Sequence, residues 1–191
     1  MSSILLIVSG PAGSGKNTVC ERLISENSNI VRAVTATTRK PREGELDGVD
    51  YHFLSVEEFE NSIKAGDFYE WAKVHGNYYG TQKSEILEKL NSGRDVILII
   101  DVQGARTWKN IAETDAALRD RLHSVFIKPE SLSVIEERMA LRGDKPEDIA
   151  KRLETAKREL LEEKYFEFCI VSASREHDYE ALKRIYLKLK Q

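Results

Sequence analysis

Cysteine is nearly missing. Only Cys20 and Cys169 occur among 191 residues, both with apolar neighbours. So few exclude a disulfide framework, and two buried free thiols in a reducing compartment are expected. Proline is scarce as well, with four in all, and no proline-rich or low-complexity segment is visible. No apolar run approaches the roughly 20 residues that a membrane helix needs. The start, Met1-Ser2-Ser3 before Ile4–Val8, lacks the basic stretch of a signal peptide. Charge of one sign is not in excess either: 29 Lys and Arg stand against 32 Asp and Glu, a net charge of −3. No global field then attracts nucleic acid or an acidic membrane, so anion binding must come from local arginine clusters. A cytoplasmic domain without nucleic-acid or membrane partners is expected, as a monomer or small homo-oligomer.

What is present is an alternation of short apolar runs and amphipathic stretches. It predicts an α/β fold with a parallel sheet flanked by helices. Ile4–Ser9 and Asp95–Asp101 read as strands buried on both faces, and Ser124–Ile127 and Phe168–Val171 as shorter ones. Helices are predicted over Lys16–Ser25 and over Ser84–Asn91. Another is predicted over Pro146–Lys164, where Ile149, Leu153, Ala156 and Leu160 recur at helical spacing. The last helix should include Leu182, Ile185 and Leu189. The segment from about 33 to 83 breaks the alternation. Tyr51–Leu54, Phe68–Val74 and Gly76–Gly80 read as short strands around one helix, which the capping box Ser55–Glu58 opens. This gives one domain over 1–191: a core of 1–32, 84–137 and 153–191, a mainly β insert at 33–83, and a short helical lid at 138–152. Arg142–Lys145 reads as an exposed turn between two helices.

Gly10-Pro11-Ala12-Gly13-Ser14-Gly15-Lys16-Asn17 lies between a buried strand and a helix. In that context it reads as a phosphate-cradling loop of a nucleoside triphosphate site. Glycines let backbone N–H groups wrap around phosphates, and the positive end of the following helix adds to the attraction. Lys16 can reach the β- and γ-phosphates as a point charge. Asn17 stands where the pattern wants a hydroxyl for Mg²⁺, with the hydroxyl of Thr18 one residue later. Direct ligation by Asn17 is therefore expected to be weak or to pass through water.

Several further segments match one family at once. Thr35-Ala-Thr-Thr-Arg39-Lys-Pro-Arg42-Glu-Gly-Glu45, Gly48-Val-Asp-Tyr51-His-Phe, Glu70-Trp-Ala, Gly76-Asn-Tyr-Tyr79-Gly-Thr81 and Asp101-Val-Gln-Gly together resemble guanylate kinases, over nearly the whole chain. The resemblance implies a P-loop core, an inserted GMP-binding subdomain and a lid, with ATP, GMP and Mg²⁺ as ligands. It implies that Arg39 and Arg42 grip the GMP phosphate with the hydroxyls of Tyr51 and Tyr79, with Glu45 in the same loop. Guanidinium groups suit phosphate oxygens. It further implies that Glu70 and Asp101 read guanine, assisted by Thr35 and Thr81. Carboxylates only accept hydrogen bonds, and guanine N1–H and N2 are donors. Asp101 also ends a core strand, so a water-mediated place near Mg²⁺ stays open for it. Arg138, Arg142 and Arg152 resemble lid arginines that close over the triphosphate. Two alternatives remain: a silent module that binds phosphoproteins through Arg39, Arg42 and Tyr79, and a kinase for another monophosphate. The four histidines form no motif and read as structural, as do Trp71 and Trp108.

Overall fold

The computed structural model describes residues 2–74, 76–141, 143 and 145–191. The first half of the chain runs β1 (Leu5–Ser9), α1 (Lys16–Glu26), β2 (Ile30–Arg32), β3 (Ala36–Thr37), β4 (His52–Phe53), α2 (Val56–Ala65), β5 (Phe68–Val74), β6 (Asn77–Gln82) and α3 (Lys83–Asn91). The second half runs β7 (Asp95–Ile99), α4 (Val102–Thr114), β8 (Leu122–Pro129), α5 (Leu132–Leu141), α6 (Pro146–Leu160), a 3-10 turn at Glu163–Tyr165, β9 (Phe168–Ser172) and α7 (Arg175–Leu189). Five strands form a parallel sheet in the order β2-β7-β1-β8-β9. Every residue of β1 is buried, as the central strand of a doubly covered sheet demands. Ile4, Leu6 and Val8 face one layer, with Leu23, Tyr179 and Leu182 of α1 and α7. Leu5 and Ile7 face the other, with Ile86, Leu90 and Trp108 of α3 and α4.

At the end of this sheet away from the phosphate loop, Asp95 is buried and accepts from the Ile4 N–H (2.9 Å), the Tyr186 hydroxyl (2.7 Å) and the Lys190 ammonium (2.9 Å). The C-terminal helix is tied to the core there. A second sheet, β4-β3-β6-β5, is inserted between β2 and α3 and is antiparallel except for the β3–β4 pair. The capping box is present: Ser55 Oγ accepts the Glu58 N–H, and Glu58 accepts the Ser55 N–H. Helix α2 lays Phe59 against Phe68 and Tyr78, with ring centroids 4.3 and 5.2 Å apart. Helices α5 and α6 pack on each other through Ile135, Met139, Ile149 and Ala156.

Four expectations change. Cys20 is buried, and burial pushes its thiol up to about 12, but Cys169 is exposed. Cys169 sits on the edge strand β9, where alternate residues turn to the face that α7 leaves uncovered. The helix expected to reach Lys164 stops at Leu160, and the 3-10 turn follows. The second core strand ends at Ile99, and Asp101 instead caps α4, accepting the Gly104 N–H at 2.7 Å. Trp108 is fully buried, but Trp71 is 47% exposed and stands edge to face with Tyr78. Strand β2 and the body of helix α4 beyond Gly104 carry no motif, and the sequence alone predicts no element at either. Among the described residues no helix is long and apolar enough to cross a membrane.

Candidate active site

The phosphate loop leaves β1 at Gly10, where the backbone passes so close to β8 that an added Cβ would lie 2.1 Å from the Ile127 carbonyl oxygen. With φ at +148°, only glycine fits. The loop then enters α1 at Lys16. The Lys16 ammonium donates to the carbonyls of Gly10 (3.0 Å) and Pro11 (3.3 Å), so it arches back over the loop. Burial lowers its pKa, while the negative charges of Glu159 and Asp101 oppose that. The Ser14 hydroxyl is buried in the loop without a protein partner among the described residues. Arg138, on α5, donates to the Gly13 carbonyl at 3.2 Å. A cleft of about 610 Å³ opens beside the loop, lined by Ala12, Gly15, Lys16, Asn17 and Thr18 and by Arg138, Arg175 and Asp178 from distant elements. Arg152 is exposed on α6. Arg142, named with it as a lid arginine, lies outside the described residues, as does His75.

The inserted sheet faces this loop. Glu70 pairs with Thr81 across β5 and β6, and the register shifts between Phe68 and Glu70, leaving Tyr69 as the extra residue. Such a bulge lets two successive side chains turn the same way. Tyr69 packs on Trp108 of α4 (4.9 Å between ring centroids), and Glu70 is half-buried beside it. The Thr81 hydroxyl donates to Glu70 Oε1 at 2.7 Å. At Gly80 a Cβ would lie 2.8 Å from the Glu70 carbonyl oxygen, so the missing side chain permits this close pairing. Burial raises the Glu70 pKa, the Thr81 bond works against that, and the Asp101 charge adds to it. Asp101, 31 positions from Glu70 in sequence, is thus the charge that Glu70 and Lys16 both feel.

Arg39 forms the other end of the insert's site. Its guanidinium makes a bidentate pair with Glu45, both bonds at 2.9 Å, and lies 5.3 Å from the Tyr51 ring centroid. Tyr51 and Tyr79 stand edge to face at 6.2 Å, and Tyr79 lies within electrostatic reach of Arg39. The Arg39 pair, with the Arg42 N–H donating at 2.7 Å, holds the Glu45 carboxyl below its ordinary range. The Arg42 side chain is exposed, and Thr35 is half-buried with its carbonyl accepting the His52 N–H. A planar fork, two phenols and an adjacent exposed arginine suit a phosphomonoester.

Glu159 escaped the sequence reading. It lies on α6, its pKa is raised chiefly by burial, and Lys16 and Asp101 are the charges it feels. Its position between Ala156 and Leu160 carries no local signal, and only the packing of α6 against the site reveals it.

Comparison with known proteins agrees with this arrangement. The guanylate kinase family profile matches residues 2–189. The guanylate kinase of Maricaulis maris is 44% identical over 183 residues, which cover 95% of this chain and 81% of that protein. That of Nitratidesulfovibrio vulgaris is 44% identical over 188 residues, covering 98% and 87%. A crystal structure of guanylate kinase from Anaplasma phagocytophilum aligns over 98% of this chain and 86% of that one, with a TM-score of 0.71 and 28% identity. A phosphate loop facing an inserted sheet that carries a half-buried carboxylate and an arginine–tyrosine cluster, together with these full-length matches, leads to one conclusion: the chain belongs to the guanylate kinase family.

Proposed function

We propose that this chain transfers the γ-phosphoryl group of ATP to GMP, giving ADP and GDP, with dGMP as a second acceptor, and so serves purine nucleotide metabolism and GMP recycling. The observation that carries this reading is that Glu70 of the inserted sheet and Asp101 at the head of α4 feel each other's charge, while Asp101 also feels Lys16 of the phosphate loop. Two carboxylates beside a phosphate loop suit a base that offers two donors, and they repel adenine, whose N1 is an acceptor. In this reading the insert at 33–83 binds GMP, and the lid at 138–152 carries Arg138, Arg142 and Arg152 toward the transferring group.

Phosphoryl transfer relies mainly on positioning and charge stabilisation. Lys16 neutralises charge on the donor's β- and γ-phosphates. The Ser14 hydroxyl and the loop amides hold the phosphate oxygens. Arg39 and Arg42, with Tyr51 and Tyr79, align the acceptor phosphate, which competes with Glu45 for the Arg39 fork. Glu70 accepts from guanine with Thr81 and Thr35 beside it, and Asp101 completes the set. Closure of insert and lid excludes water that would hydrolyse ATP.

Mg²⁺ fits as a companion of ATP. No group of three or more His, Cys, Asp or Glu able to hold a metal occurs among the described residues, as suits an ion that keeps its waters and binds mostly through phosphates. Asn17 and Asp101 would hold it through water, and it would supply charge neutralisation to the donor phosphates. Two unpaired cysteines support a cytoplasmic setting.

The test is a coupled assay with ATP and each of GMP, dGMP, AMP, CMP and UMP. Turnover with GMP and dGMP far above the rest is expected. Binding without turnover would make the chain a silent module, and preference for another base would overturn the acceptor assignment.

A further inference from the structure

The inserted sheet is joined to the core by two chain crossings, and both meet one carboxylate. The outgoing crossing leaves β2 at Arg32 and enters β3 at Ala36. The returning one passes from Gln82 at the end of β6 straight into α3. Glu85 sits in the first turn of α3 with its side chain 10% exposed. Its Oε1 accepts the Val34 N–H at 2.6 Å, and its Oε2 lies 3.4 Å from His52 Nε2 on β4, the outermost strand of the inserted sheet. Lys89, one turn further on, bonds the same carboxylate and donates to the Arg32 carbonyl at 3.1 Å.

The backbone bonds of the crossing show what this carboxylate bridges. The Ala33 N–H donates to Ile97 of the core sheet at 2.9 Å. The Thr35 carbonyl accepts the His52 N–H of the inserted sheet, also at 2.9 Å. Between them the Val34 N–H has a side chain as its acceptor. Val34 is buried, so its amide must keep an acceptor however the insert is oriented. A backbone ladder would fix the two sheets rigidly. A carboxylate on rotatable bonds can follow the amide as the crossing turns.

We propose that Glu85 is a positioning residue for the acceptor nucleotide: it is the pivot on which the inserted sheet is set against the core, with His52 as its second anchor. This rests on the guanylate kinase reading in so far as the nucleotide is GMP. Glu85 acts through the Val34 amide on Thr35 and β3, and through His52 on β4, without touching substrate. The phosphate loop lies on other elements and is outside its reach.

Two measurements test it. In nucleotide-free protein, Glu85→Ala should speed amide hydrogen exchange in segments 33–37 and 51–54 by about tenfold and leave segment 9–18 unchanged. In steady-state kinetics, Glu85→Ala should raise KM for GMP by about tenfold, with KM for ATP within about twofold of the parent. Glu85→Gln keeps an oxygen for the Val34 amide and should restore most of the loss. His52→Ala should raise KM for GMP less, and its effect should be non-additive with Glu85→Ala. If Glu85→Ala fails to fold, Glu85→Asp, with a reach one methylene shorter, should show the same selective rise. Unchanged exchange at 33–37, or an equal rise in both KM values, overturns the proposal. If the parent does not phosphorylate GMP, the functional reading fails, and the exchange experiment alone decides whether Glu85 is the pivot.

Discussion

The phosphate loop and the inserted sheet are built for binding by opposite means. The loop works with contiguous backbone: eight residues, glycines where the chain approaches β8, and one lysine folded back on the carbonyls of Gly10 and Pro11. It needs β1 and α1 as flanks and little else. The insert works with scattered side chains. Arg39, Tyr51 and Tyr79 meet at one end and Glu70 meets Thr81 at the other, only because four short strands, a bulge at Tyr69 and a glycine at 80 bring them there. In the proposed function the loop recognises what every nucleoside triphosphate shares, and the insert recognises what distinguishes one base. Damage to the first should therefore abolish the reaction, and damage to the second should alter selectivity.

The sharpest break is expected at Lys16. Replacing it by Met removes charge from the transferring group and should lower kcat by about 10²–10³ or more, by analogy with the loss of one preorganised donor. GMP affinity, measured by calorimetry, should change little. A parallel collapse in GMP binding would show that the two regions are not separable.

Next comes Glu70. Hydrogen bonds to charged groups contribute about 1.5–3 kcal/mol each, so Glu70→Ala should lose about ten- to a hundredfold or more in kcat/KM for GMP. The loss for AMP should be much smaller, narrowing the preference. Equal losses for both nucleotides would assign Glu70 to the fold and not to the base.

Glu70 also predicts a stability cost for its function. Burial raises its pKa in the folded state, so folding favours the protonated form. At low pH both states are protonated and nothing is lost. As pH rises through the ordinary value of about 4.3, the unfolded chain ionises first, and stability falls until the folded carboxyl ionises too. Glu70→Gln should therefore melt above the parent at pH 7, by about 2–4 °C for each kcal/mol relieved in a chain of this size. The gain should vanish below about pH 4.3. A gain that persisted in acid would need a cause other than charge burial.

The smallest effect belongs to Asn17. Asn17→Ser restores a hydroxyl beside the donor phosphates and should leave kcat unchanged or raise it by at most about threefold, with a lower Mg²⁺ requirement. A collapse of activity would reveal a specific task for the amide and would make the loop less purely a backbone device.

How far the two regions could be read from sequence follows the same division. The P-loop was legible because its chemistry is local: strand, glycines, lysine and helix follow one another, and the spacing itself is the structure. The capping box at Ser55 and Glu58 was legible for the same reason. The roles offered for Arg39, Glu70 and Asp101 came from a resemblance, since nothing in their local sequence sets them apart from solvated charges. The pairing of Arg39 with Glu45, six residues on, left no mark that local pattern could decide.

By itself, then, the sequence determined the alternation that makes a parallel sheet, the phosphate loop and its lysine, and the existence of a mainly β interruption, because hydrophobic period and glycine spacing are properties of neighbours along the chain. Tertiary structure alone decided that Asp101 caps a helix while facing Glu70, that Glu159 enters the field of Lys16, that Cys169 lies open at a sheet edge, and that Glu85 joins both crossings of the insert. Each of these depends on which elements pack together. Burial, desolvation and the meeting of distant charges arise only from that packing.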